Sequence, residues 1–156
     1  MLKVYVDTSV IGGCFDQKFR KDSLRLFEDF KAGRKMMVYS DVVYKEIEQG
    51  RDGKNHLLRK FHEVPEEYKL GYKQNEEVKL LAEKYLQKNI LTGKSSKDAV
   101  HVATGTIFEV DVIASWNFRH IVYKRKIKLY NETNIEFGYK PILIKTPEYI
   151  LKSKQS

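Results

Sequence analysis

Acidic side chains are where this sequence can do chemistry. Asp7 ends the apolar run of MLKVYVDTSVIGG and stands before a Thr-Ser pair. Glu46 lies in DVVYKEIEQG, one turn from Val42 and Val43 and so at the border of the apolar stripe, whereas Glu48 points roughly the other way, toward solvent. Asp98 opens SSKDAVHVATG, with His101 and Val102 one turn further along the same side and Gly105 allowing a close backbone approach. Each acid has an ordinary structural use. Asp7 can cap a helix after Thr8, Glu46 can form a surface ion pair, and Asp98 can close a Ser95-x-x-Asp98 capping box. Gathered to one point, the same three would make a negatively charged cup that repels itself until a hard cation neutralises it.

The elements that must position these acids alternate between two periodicities. LKVYV and KMMVYS read as strands, and DSLRLFEDFKAG between them as a helix closed by Gly33. DVVYKEIEQG follows as a helix, with Asp41 placed to cap it and Gly50 to stop it. Residues 51–75 give a mixed signal, with helical patches around NHLLRKFHEV and a break at Pro65, and read as a helical connection. NEEVKLLAEKYLQKNI is the clearest helix, because Val78, Leu81, Ala82, Tyr85 and Leu86 recur at three and four residues. SSKDAVHVATGTIFEV is another helix, VDVIAS a third strand, RKIKLYNETNIEFG a helix with a basic start, and PILIK a closing strand. Strands separated by helices imply an α/β fold with a mostly parallel sheet covered on both faces. In such sheets the ligand crevice lies beyond the carboxyl ends of the strands, where Asp7 falls and where Asn117 follows VDVIAS.

Composition narrows the chemistry. The 156 residues fit one domain, 1–156, and at 42% hydrophobic and 32% charged they can bury a core without staples. No apolar run reaches membrane-spanning length and the start lacks a secretory signal, so a cytoplasmic location is expected. Cys14 is the only cysteine, which excludes an internal disulfide and a thiol-rich zinc site and leaves a small buried hydrophobe. Lys and Arg number 29 against 21 Asp and Glu, a net +8 with a pI near 9.4. That excess suits polyanions, by counterion release and faster encounter, and equally suits plain solubility.

VYVDTSVIGG, SDVVYKEI, SSKDAVHVATG and VDVIASWNFRHI, in that order and spacing over nearly the whole chain, resemble a PIN domain, the fold of VapC-type toxin nucleases. The later NETNIEFGYKPILIKTPE is similar to the closing helix and strand of one PIN subgroup. The resemblance implies a three-layer α/β/α fold and a ribonuclease that cleaves single-stranded or structured RNA by a metal-activated water. It implies Asp7, Glu46 and Asp98 as ligands of Mg²⁺ or Mn²⁺, with Ser9 on a supporting polar position next to Thr8. Hard divalent cations take oxygen ligands, keep several waters and lower the pKa of a bound water. Where many relatives carry a fourth acid, this chain has Asn117, whose amide oxygen can ligate but brings no charge. One firmly bound ion is therefore expected, any second at ~3.5–4 Å arriving with substrate; a turn role for Asn117 competes. A small antitoxin protein covering the site and a homodimer are further implications. The competing readings are an inactive PIN domain that binds RNA or protein, and a plain interaction module whose acids are caps and surface pairs.

Other signals carry less. Thr92-Gly93-Lys94-Ser95 lacks the glycine and the preceding strand of a phosphate-binding loop, with Lys88 where the glycine belongs. His56, His62, His101 and His120 lack zinc-helix spacing, and packing or surface roles are their default; His101 has the alternative of orienting a carboxylate. Asn131-Glu-Thr133 fits a glycosylation acceptor that a cytoplasmic chain would not use. Arg119, His120, Lys124, Arg125, Lys126 and Lys128 form the densest basic stretch, suited to guiding an RNA backbone or simply to a solvated helix face. Trp116, Phe118 and Tyr123 can stack bases, but burial is the default for at least two of them.

Overall fold

The computed structural model describes residues 1–49, 55–88 and 95–153. Five strands, β1 (Leu2–Val6), β2 (Lys35–Ser40), β3 (Lys69–Tyr72), β4 (Val112–Ala114) and β5 (Ile144–Lys145), form one parallel sheet in the order β3-β2-β1-β4-β5. Val4, Tyr5 and Val6 of the central strand are fully buried, as are Ile113 and Ala114 beside them. Consecutive residues alternate faces, so burial of all of them requires cover on both sides of the sheet. That cover comes from α1 (Thr8–Gly13), α2 (Arg20–Lys31), α3 (Asp41–Glu48), α4 (His56–His62), α5 (Glu76–Gln87), α6 (Ser96–Ile107), α7 (Lys124–Glu136) and α8 (Pro147–Lys152). Helix α5 packs on α6 and α7, while α1 packs on α2 and α4, and α2 on α8. No helix among the described residues is long and apolar enough to cross a membrane.

Two glycines are needed where they stand. Gly33 has φ +75° between α2 and β2, a conformation that a side chain disfavours, and a Cβ there would also strike the Tyr68 ring. Gly105 lets α6 lie directly on β4, because a Cβ would come within 2.6 Å of Ile113 Cδ1. Cys14 is buried, and burial pushes its thiol up to about 12, so it packs rather than reacts.

The structure corrects four expectations. Residues 69–72 are a strand, not helical connection: Lys69 is buried with its ammonium on Glu66 at 2.8 Å and over the Phe61 ring, which lets a charged residue enter the edge of the sheet. Ser40, not Asp41, caps α3, its Oγ accepting from Val43 N, while Asp41 Oδ1 accepts from Gln74 N. Ser95 begins α6 without a side-chain cap bond, so the capping box is not made. Finally, only Trp116 of the three aromatics is buried; Phe118 and Tyr123 are about half exposed. Gly50 and the stretch 92–94 lie outside the described residues. The closing strand is shorter than PILIK because Ile142 N donates to Asn131 Oδ1 instead of to the sheet. Asn131 is thereby a structural residue, and Thr133 of the acceptor motif is buried.

Candidate functional site

The sheet grows outward from β1 to β2 and β3, then returns to β4 and β5, so the order reverses between β1 and β4. Crevices form at the carboxyl ends of strands at such a switch point. Asp7 follows β1 in extended conformation and is the N-cap of α1, its Oδ1 accepting from Val10 N at 3.3 Å. Capping does not exhaust it. Ser9 Oγ donates to Oδ1 at 2.6 Å and Ser115 Oγ, from just beyond β4, donates to Oδ2 at 2.5 Å. Ser9 Oγ also accepts from Trp116 N, and Ser115 Oγ from Asn117 N, both at 2.9 Å. The segment after β4 is thus pinned to the segment after β1. Burial raises the Asp7 pKa, and the nearby His101 and these hydroxyls only partly offset it.

Asp98 sits in the first turn of α6, where the helix dipole favours a carboxylate. Asn117 Nδ2 donates to its Oδ1 at 3.3 Å. Asn117 Oδ1 faces the other way and accepts the N–H groups of Arg119 and His120 at 3.2 and 3.0 Å. Two backbone donors on one side and a carboxylate on the other fix this amide orientation, since a flip would set donor against donor and oxygen against oxygen. The Asn117 oxygen is therefore spent on the turn, and Asn117 meets the acids through its nitrogen. The Asp98 pKa is raised, chiefly by burial; His101 and His120 pull it down while Asp7 and Glu46 push it up. Asp98 thus feels the charge of both other acids.

Glu46 enters from α3, carried there by the Ser40 cap at the end of β2. His101 Nε2 stands 3.4 Å from Glu46 Oε1, and its Nδ1 is 2.7 Å from Tyr5 Oη, which lies 2.9 Å from Ser40 Oγ. A proton on Nε2 toward the carboxylate makes Nδ1 the acceptor from Tyr5, and Tyr5 the acceptor from Ser40. Burial pushes the Glu46 pKa up, but His101, Thr8 and Lys97 together outweigh it, and the net direction is down. Glu46 Oε1 and Thr8 Oγ1 are buried without hydrogen-bond partners in the structure. A cleft of about 370 Å³ bounded by Glu46, Gln74 and Lys97 opens here, and neither Asp7 nor Asp98 lines it.

A buried carboxylate oxygen whose nearest donor is 3.4 Å away, and two carboxyl groups with raised pKa, are what a hard cation relieves. Among the described residues, however, no group of three His, Cys, Asp or Glu side chains closes into a metal cage. Asp7, Glu46 and Asp98 offer oxygen donors only, the type of ligand that hard divalent cations take.

The basic stretch divides. Lys126 Nζ donates to His120 Nδ1 at 2.9 Å, and both interact electrostatically with Asp98, which places them on the rim of the acids. Burial lowers the pKa of each, with Lys126 acting on His120 as well. Arg119, Lys124 and Arg125 are exposed and make no ion pair among the described residues, and Lys128 pairs with Glu132. Sequence reasoning missed Tyr5, Ser40 and Ser115. The two serines each end a strand, where hydroxyls recur as caps, and that was their legible signal; Tyr5 carried none, since an inward residue of a buried strand reads as core.

No family model matches the chain, and no curated protein matches it in sequence. Solved structures do match. The chain is similar to a chain of VapBC2 from Rickettsia felis bound to a DNA fragment from its promoter, with a TM-score of 0.59 at 10% identity over 93% of this chain and 98% of that one. It is similar to VapC20 of Mycobacterium tuberculosis, a sarcin-ricin loop cleaving toxin, with a TM-score of 0.58 at 14% identity over 75% and 92%. FitAcB from Neisseria gonorrhoeae gives 0.57 at 12% identity over 94% and 99%. With its five-stranded parallel sheet between helices, the chain has a PIN-like α/β fold, shared with these solved structures.

Proposed function

We propose that the chain, as one PIN domain over residues 1–156, is a metal-dependent endoribonuclease that hydrolyses phosphodiester bonds in single-stranded or structured RNA. What supports this reading is the charge coupling of Asp98 to Asp7 and Glu46, together with the hydroxyl bonds that tie the segment after β4 to Asp7 at the sheet's switch point. In the resemblance these are the metal ligands, and Asn117 belongs with them as a catalytic-site residue. A bound Mg²⁺ or Mn²⁺ supplies Lewis acidity, easing attack of water on phosphorus at neutral pH. The chain's own residues do the positioning. Ser9 and Ser115 hold the Asp7 carboxylate by both oxygens, Asn117 holds Asp98, and His101, locked by Tyr5, faces Glu46. Lys126, with Arg119, Lys124 and Arg125 further out, offsets the repulsion between an incoming phosphate and the acids.

The VapBC2 and FitAB structures, both bound to DNA, support a small antitoxin as partner of this chain as well, and we extend the reading to a homodimer acting in the cytoplasm. An inactive, RNA-binding PIN domain is the second reading, favoured by one observation: the Asn117 oxygen is engaged by its turn, so the fourth position offers no ligand. Single-turnover cleavage of a structured RNA with Mn²⁺ or Mg²⁺ separates the two. Wild type should cut, and Asp7→Asn and Asp98→Asn should not; cleavage that survives a chelator, or is equal in all three, removes the nuclease reading.

A further inference from the structure

Phe118 stands half exposed, at 48%, on a turn that gives it no freedom to retract. Its own N–H donates to Trp116 O at 3.0 Å, Asn117 Oδ1 binds the next two N–H groups, and Asn117 O accepts from Ile121 and Val122. The backbone that carries the ring is thus fixed by the same residue that holds Asp98. Beneath it lies a firm base. Trp116 is buried, its Nε1 donates to Ser23 Oγ at 2.8 Å, and it stacks on Phe19 with centroids 4.4 Å apart and planes 18° apart. Phe118 is 6.0 Å from Phe19 and 6.2 Å from Trp116, so three rings form one cluster. Two cations accompany the cluster: Lys18 Nζ lies 5.4 Å from the Phe19 centroid, and Arg119 follows Phe118 in the chain. Neither cation has a carboxylate partner among the described residues.

We infer that Phe118 is a stacking platform for an unpaired nucleobase next to the phosphate at the acids, with Lys18 and Arg119 taking the flanking phosphates. This rests on the nuclease reading for its substrate. An exposed ring with an unpaired cation next to it in the chain and another over the Phe19 ring of its cluster matches a nucleotide's two parts, a π-face and an anion; an aliphatic peptide side chain would use the ring and leave both cations idle. A base inside a duplex already has both faces stacked, so the ring selects single-stranded, bulged or flipped nucleotides. Continuity supports the placement, since Asn117 touches Asp98 and Phe118 is the next residue.

Trp116, the chain's only tryptophan, reports on the cluster by fluorescence. The test titrates a six-nucleotide single-stranded RNA, and an abasic chain of the same length, into wild type and into Phe118→Tyr, Phe118→Leu and Phe118→Ala, in EDTA at fixed low salt. Thermal melts of each variant check that the exposed site leaves the fold intact. Wild type and Phe118→Tyr should bind the RNA alike, Phe118→Leu and Phe118→Ala ~5- to 100-fold more weakly, and all four should bind the abasic chain equally. Equal RNA binding by wild type and Phe118→Ala, or full affinity in Phe118→Leu, would overturn the platform and leave the ring to a protein partner or to plain apolar contact. Because the titration is run without metal, its outcome is independent of whether metal-dependent cleavage exists, and the two readings can fail separately.

Discussion

Replacing Asn117 with aspartate turns one atom of the acid cluster from donor to acceptor. The aspartate Oδ1 can still accept from Arg119 N and His120 N, so the turn keeps its cap. The second oxygen then faces Asp98 Oδ1 where Nδ2 stood 3.3 Å away. Two effects add. A hydrogen bond to a charged group is lost, about 1.5–3 kcal/mol. Like charges near 4 Å repel by up to about 4 kcal/mol at an effective dielectric of 20, reduced here because a shared proton and partial exposure both screen the pair. The metal-free variant should be about 2–4 kcal/mol less stable than wild type at pH 7. The sign with pH follows from linkage: coupling raises the carboxyl pair above its unfolded pKa, so the folded state binds more protons and the penalty grows as pH rises. Below about pH 4, where the unfolded acids are protonated as well, the penalty should vanish. Urea unfolding in EDTA at pH 4, 5.5 and 7, and at pH 7 with Mn²⁺, reads all of this, with Mn²⁺ recovering most of the loss. An equal penalty at pH 4 and pH 7 would mean the turn is damaged. No penalty at any pH would mean that Asn117 does not face Asp98.

Three further outcomes are expected. Asp98→Asn should melt at higher temperature than wild type at pH 7 in EDTA, because a carboxyl with raised pKa opposes folding once ionised, and the gap should close toward pH 3; a lower melting temperature at pH 7 would contradict the direction. Gly13→Ala puts a Cβ 2.5 Å from Ser23 Oγ and 2.9 Å from Trp116 Cδ1, costing about 1–3 kcal/mol by overpacking, and Trp116 emission should shift to the red as its bond to Ser23 breaks. Tyr5→Phe leaves buried His101 Nδ1 and Ser40 Oγ without their shared hydroxyl, a loss of about 1–3 kcal/mol in urea unfolding; an unchanged midpoint would refute the chain of donors through Tyr5.

The sequence carries the fold unevenly, for physical reasons. Strands β1 and β2 match LKVYV and KMMVYS to the residue, because central strands need unbroken apolar runs. Strand β3 hides because KLGY is short and polar at its start, and what lets Lys69 lie buried there is Glu66 and the Phe61 ring, neither visible as a period. The acids were legible as strand-end and helix-start residues, whereas their wiring was not. The direction of the Asn117 amide depends on two backbone N–H groups of a turn, and the role of His101 depends on the Tyr5 hydroxyl reaching its Nδ1. Exposure of Phe118 escaped for a related cause: an aromatic reads as core unless its backbone is known to be held outward. Within the basic stretch, the turn after β4 brings His120 toward Asp98 and the first turn of α7 brings Lys126, while Lys124 and Arg125 stay in solvent, a division that composition alone cannot make.

Binding of Mn²⁺ followed by electron paramagnetic resonance at pH 7 bears most directly on the convergence of Asp7, Glu46 and Asp98 around a hydrated cation. Wild type should take up one ion per chain, and Asp7→Asn, Glu46→Gln and Asp98→Asn should each weaken uptake by at least about tenfold, since even residues that only orient ligands have effects of that size. No uptake by wild type, or equal affinity in all four proteins, would contradict it.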